Sequence, residues 1–139
     1  MRGARISSLS PLQVAIYERL TKDQALMARI TGVFDDVGEK QPFPYITFGE
    51  TTVIDWSTKT QYGEEVSSEL HIWSEHGGKK EAMEIMSLVV KSISLEPIRF
   101  DRFIVLFSRM DFMHVFDDPD PNIKHGVIRF VSRIFQEVV

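Results

Sequence analysis

The stretch Val66-Ser67-Ser68-Glu69-Leu70-His71-Ile72-Trp73-Ser74 decides the fold class. Val66, Ser68, Leu70 and Ile72 fall on one face, and Glu69, His71 and Trp73 on the other. A period of two is that of a half-buried β-strand. Gly77-Gly78 breaks it, and the period then changes. Ala82, Ile85, Met86, Val89, Val90 and Ile93 recur at helical spacing for three to four turns. A strand feeding an amphipathic helix needs a sheet for that helix to cover.

Upstream, Tyr45 to Ile54 sets Ile46, Phe48 and Ile54 against Tyr45, Thr47 and Gly49, with the β-branched and aromatic content of a strand. Asp55 to Gly63 is polar apart from Trp56 and Tyr62, which predicts a loop or the tip of a long hairpin. Val33-Phe34-Asp35 suits a short strand, and Gly38 to Pro44 a loop. Near the start, Ser10-Pro11-Leu12-Gln13 reads as a capping box with proline at the first helical position. Leu12, Ala15, Ile16, Arg19 and Leu20 continue it, with the Arg19 stem lying along the stripe. Thr21-Lys22-Asp23-Gln24 reads as a second box, opening a short helix that Gly32 ends. Downstream, Phe103 to Phe116 is apolar on both faces, which predicts a central strand or one covered on both sides. Asp117 to Asn122, with two prolines, is a turn. Gly126 to Val138 is a last strand, with Ile128, Phe130 and Ile134 on one face and Arg129, Val131, Arg133 and Phe135 on the other.

The expected fold is therefore α+β: an antiparallel, mostly sequential β-sheet with two main helices packed on one face. Residues 1–9 are expected to form a flexible N-terminal arm, and residues 10–139 a single domain. Trp73, Phe107, Phe112 and Phe135 would partly face away from the helices. An apolar second face of that kind is a candidate subunit contact.

The chain has 139 residues and a mass of 16.0 kDa, the size of one domain. Apolar residues make up 43% and charged residues 26%, which excludes wholesale disorder. It contains no cysteine, which excludes disulfides, thiolate zinc sites and cysteine nucleophiles. A net charge of −4 does not suit bulk nucleic-acid binding, which requires a basic face. No apolar run is long enough for a membrane helix, and Met1 to Ser8 lacks the apolar core of a signal peptide.

Catalytic motifs are not found. There is no GxGxxG, HExxH or GxSxG, and Gly77-Gly78-Lys79-Lys80 lacks the flanking residues of a phosphate loop. His71, His114 and His125 lie on or beside strands and could converge as metal ligands, although their spacing does not require it. Asp117-Asp118-Pro119-Asp120-Pro121-Asn122 crowds carboxylates, but without the glycine and distal glutamate of a calcium loop it reads as an acidic turn. Adjacent Glu64 and Glu65 point to opposite faces and form no shared carboxylate pair. Trp56, a large aromatic in a polar loop, is either tucked onto the domain or presented to a partner.

Five stretches taken together resemble the tail-terminator, or tail-completion, proteins of tailed phages and prophages. They are Leu12-Gln13-Val14-Ala15-Ile16-Tyr17-Glu18-Arg19-Leu20; Pro42-Phe43-Pro44-Tyr45-Ile46-Thr47-Phe48-Gly49; Asp55-Trp56-Ser57-Thr58-Lys59; Leu70-His71-Ile72-Trp73-Ser74; and His125-Gly126-Val127-Ile128-Arg129-Phe130. They follow the family's order across nearly the whole chain. The last turn departs from it, with Asp120-Pro121 where the family often has Asp-Gly.

The resemblance implies a structural protein and no enzyme. It implies a subunit of a ring, a hexamer in the assembled tail and a monomer in isolation. The ring would cap the tail tube protein and offer a surface to the head–tail connector protein, with DNA only passing through its lumen. It implies a place in the virion tail after assembly in the bacterial cytoplasm, with no membrane and no cofactor. A mildly acidic wall suits a channel along which DNA must slide. The contact residues expected from loop position and polarity are Trp56, Thr58, Lys59 and Tyr62, with Asp117, Asp118 and Asp120 in the acidic turn. The rival expectation is a small ligand- or metal-binding domain or enzyme using His71, His114 and His125.

Overall fold

A computed structural model describes residues 3–138; Met1 and Arg2 of the expected arm, and Val139, lie outside the described residues. The order of elements is α1 (Leu9–Thr21), α2 (Gln24–Met27), β1 (Val33–Phe34), β2 (Tyr45–Asp55), β3 (Gly63–Ser74), α3 (Lys80–Ser94), β4 (Phe103–Asp117) and β5 (Lys124–Gln136).

The α+β class holds, but the sheet is mixed and its order is not sequential. Five strands lie in the order β1-β2-β3-β5-β4. β1 runs parallel to β2, pairing Val33 with Ile46 and Phe34 with Thr47. The other neighbours are antiparallel. The departure arises at α3. Its crossover returns the chain to the far side of the sheet, where β4 takes the outer place and β5 fills the gap beside β3. The strand expected to be central or covered on both sides is thus an edge strand. Phe103, Val105 and Val115 pack on the core, but most of its other apolar residues are not buried within this chain.

Alternation along β3 places Val66, Leu70 and Ile72 in the core, with their register partners Ser132, Ile128 and Gly126 on β5. The helices cover this face. α1 contributes Leu12, Ile16 and Leu20, and α3 contributes Ala82, Ile85, Met86, Val89 and Ile93. Each large aliphatic side chain fully buried here stabilises the fold by about 1.5–3 kcal/mol. α3 lies close against β5 at Gly126, where a Cβ would collide with the Met86 sulfur.

The helix starts differ from the expected boxes. α1 opens one residue before Ser10, and its N-cap residue Ser8 makes no cap bond with its own side chain. Instead the Ser8 N–H and hydroxyl both donate to Glu64 Oε1 at 2.7 Å, and the Ser7 hydroxyl donates to Oε2 at 3.0 Å. A buried carboxylate on β3 thus caps α1 from across the fold. α2 is capped by Asp23, which accepts from the Leu26 N–H at 3.1 Å, while Thr21 remains in α1. At the far end of α3, the Arg19 guanidinium donates to the carbonyls of Ser92 and Glu96 at 2.9 Å and of Pro97 at 3.2 Å. The Ser92 carbonyl is one that a helix end leaves without an intrahelical partner, and Glu96 and Pro97 lie in the chain just beyond it. The last strand runs from Lys124 to Gln136 rather than from Gly126 to Val138.

Candidate functional site

Because side chains alternate along a strand, burying one face of β3 and β5 under the helices leaves the other face bare. Trp73, Phe107, Phe112 and Phe135 lie on this open face, as the apolar pattern suggested. They belong to a longer run of rings. At one end Tyr45 stacks with Trp73 at 6.3 Å between centroids, Trp73 with His125 at 3.8 Å, and Phe116 meets His125 at 4.7 Å. In the middle the Arg129 guanidinium sits 5.0 Å over Phe112. At the other end Arg133 lies 4.7 Å over Trp56 and 5.8 Å from Phe107, while Trp56 stacks on Phe135 at 5.0 Å. Arg133 also donates from Nε to Glu65 at 3.0 Å. The face is thus amphipathic, with aromatic planes interleaved with arginine. That is the composition favoured where proteins meet.

Two of the three expected histidines converge. His71 Nδ1 and His125 Nε2 are 2.6 Å apart, and His71 Nε2 lies 3.3 Å from Glu69 Oε1. The arrangement that satisfies every group has His71 donating to Glu69 and accepting from His125. Gly49 makes room for it, since a Cβ there would overlap the His71 ring. Burial, and then the charge of His71, push the His125 pKa down to about 4, against a smaller upward effect of Asp118. Trp73 completes the cluster by donating to Thr47 Oγ1 at 3.0 Å. His114 stands apart between Phe112 and Phe116 on β4. Among the described residues no group of three His, Cys, Asp or Glu could hold a metal ion.

The two expected contact loops lie at opposite ends of the sheet. Trp56, Thr58, Lys59 and Tyr62 occupy the β2–β3 tip, next to the last residues of β5, since Gly63 pairs with Phe135. Asp117, Asp118 and Asp120 occupy the β4–β5 tip, next to Ser74, since Ser74 pairs with Lys124. Twelve residues of β3 separate the two tips, about 36 Å at the rise of an extended strand. They cannot form one contact surface.

The tips also differ in kind. Trp56 is half-buried, its ring folded back onto Phe135 and its backbone N–H donating to the Gly63 carbonyl at 2.8 Å. The Thr58 hydroxyl accepts from the Gln61 N–H at 3.1 Å, and Tyr62 faces the Arg5 guanidinium at 5.5 Å. Lys59 is exposed. The hydrogen bond from Ser57, and then the charge of Arg5, hold the Asp55 carboxyl below its ordinary range. In the acidic turn, Lys124 donates to Asp117 at 2.8 Å, and Lys79 approaches it at 3.5 Å. The Lys124 hydrogen bond is the main reason the Asp117 carboxyl titrates low. Asp120 accepts from the Asn122 N–H at 3.0 Å, an Asx turn that rigidifies the tip.

The expected contact set omitted Arg129, Arg133 and Glu65. Their signal was present in the alternation of β5, which puts Arg129, Arg133 and Phe135 on one face. Only the register shows what each of them meets.

The family described as Tail completion protein gp17 matches residues 14–134 of this chain. Tail completion protein gp17 of Bacillus phage SPP1 is 31% identical over 120 residues, which is 85% of this chain and 87% of that protein. The solved structure of the bacteriophage SPP1 gp17 protein superposes with a TM-score of 0.64 at 27% identity, over 99% of this chain and 95% of that one. A chain in the virion of a native gene transfer agent particle superposes with a TM-score of 0.81 at 21% identity, over 89% and 94%. This last likeness is one of fold.

Proposed function

The chain belongs to the tail completion protein gp17 family, and on that premise we propose that it acts as one subunit of a ring that caps the tail tube and receives the head. The role is structural, in the virion tail, and not enzymatic. The ring has six subunits, with the tube protein at one end, the connector protein at the other, and DNA in the lumen. The observation that carries it is the placement of the two tips at opposite ends of one sheet. A ring subunit with its strands along the axis presents one tip to each neighbour in the stack. The β2–β3 tip is anchored by Trp56 and offers Lys59, whereas the β4–β5 tip is acidic and rigid. Two chemically different ends suit two different partners. The overall negative charge suits a lumen that does not hold phosphates.

Electron microscopy of tails made with and without this chain tests the reading. Tails of uncontrolled length, or finished tails that fail to join heads, are the expected result of its loss. Normal tails joined to normal heads would remove the capping role and leave the fold alone standing.

A further inference from the structure

β4 has the sequence of a central strand and the position of an edge strand. Its apolar side chains point to both faces, yet Ile104, Leu106, Met110, Phe112 and Met113 are each between 40% and 47% exposed. An edge strand is ordinarily guarded by lysine or proline, and β4 contains neither. Its only irregularities are register shifts at Leu106 and Asp111. Alternate residues along this fifteen-residue strand therefore turn backbone N–H and C=O groups outward to a further strand.

The opposite edge of the sheet is also open. β1 pairs only with Ile46 and Thr47, so the outer side of β2 beyond Thr47 has no strand against it within the described residues. Thr51, Thr52 and Ile54 there are exposed and β-branched, as residues of a paired strand would be; Ile54, expected on the face of Ile46 and Phe48, is turned away by the bulge between Phe48 and Thr51, which sets Val53 against the core instead. β2 and β4 run in opposite directions, because each of the steps from β2 to β3, β5 and β4 is antiparallel. Rotating a second copy about an axis along the strands brings β4 of one copy beside β2 of the next in the antiparallel sense.

Charge selects both partner and register. Arg109 on β4 and Glu50 on β2 are exposed, and neither forms an ion pair within the described residues. Counted across the sheet, Thr52 is level with Ser67, Val131 and Arg109. Pairing at that level sets Glu50 near Asp111, a like-charge contact. A slip of two residues sets Arg109 against Glu50 and keeps every side chain on its own face.

We infer that the β4 edge of one subunit pairs with the β2 edge of a second copy of this chain, so that one sheet runs on from subunit to subunit. This contact joins two different patches. It is heterologous and closes into a ring if the rotation closes. The inference rests on the ring reading above and specifies its interface.

The chain has no native cysteine, so introduced thiols report alone. A chain carrying both Thr51→Cys and Met110→Cys is assembled into tails and treated with a short bis-maleimide that tolerates a two-residue slip. Thr52→Cys with Arg109→Cys, on the other face of the same strands, serves as a second pair should the first disturb assembly. The expected result is a ladder of cross-linked multimers of this chain, with each single variant giving monomer. A dimer from the β4 thiol alone would mean that β4 meets β4, which overturns the inference. A product joined to another tail protein overturns it as well. Monomer alone from both pairs, in tails that end normally by microscopy, also overturns it while leaving the capping role intact.

Discussion

His125 shows how one residue ties the open face to solution pH. In the folded chain its pKa is pushed down to about 4 from 6.5, by burial first and by His71 second. Between those values the unfolded chain holds a proton that the folded chain does not. Stability is therefore complete above pH 6.5 and falls as pH drops toward 4. The whole step amounts to at most about 3 kcal/mol. Urea denaturation at pH 7.5 and pH 5 should show this loss, and His125→Phe, which keeps a ring stacked on Trp73, should reduce it. An unchanged slope in that variant would assign the pH dependence to other groups. Gly49→Ala belongs with this cluster. The added methyl displaces the His71 ring and breaks its bond to His125, an effect visible in the imidazole NMR signals.

The start of α1 and the end of α3 are each held by a side chain remote in sequence. Glu64 gathers the Ser8 N–H and the hydroxyls of Ser7 and Ser8 at the start of α1. Glu64→Ala leaves the Ser8 N–H and hydroxyl buried without an acceptor, which costs about 1–3 kcal/mol in urea denaturation. Exchange of the amides in the first turn of α1 should quicken. Glu64→Gln should recover part of the loss. At the end of α3, Arg19→Ala releases the carbonyls of Ser92, Glu96 and Pro97, and Arg19→Lys should not restore them because only the guanidinium fork spans all three. Neither cap was legible as such in the sequence. Glu64 is 56 residues from Ser8, and no local spacing rule reaches that far. By contrast, the interiors of α1, α3, β2, β3 and β5 were legible, since each carries its own periodicity.

At the scale of the molecule, the proposed role assigns assembly contacts to the open sheet face, the two tips and the sheet edges. Trp56→Ala removes a ring from the end of the face but no residue of the core. The variant should fold, with a midpoint of unfolding close to the parent's, and should incorporate poorly into tails. If it incorporates as well as the parent does, the Trp56 end of the face is not a contact. Arg109→Glu should block incorporation while leaving the fold intact. Adding Glu50→Arg in the same chain should restore it, because every subunit then carries the reversed pair. Tails counted by microscopy, beside circular dichroism of the purified variants, separate failure to assemble from failure to fold.

The sequence by itself determined the α+β class, the strand and helix interiors, the sides of β3 and β5 that meet the helices, and the family. These are properties of short-range alternation and of stretches in order. Tertiary structure alone decided that β1 is parallel to β2, that β4 stands outside β5, that Glu64 caps α1, and that His71 meets His125. Strand order depends on where the α3 crossover delivers the chain, and a long-range cap depends on which strands end up beside a helix start. β4 joins the two kinds of information. Its residues carry the pattern of a strand flanked on both sides, and the monomer supplies a neighbour on only one of them.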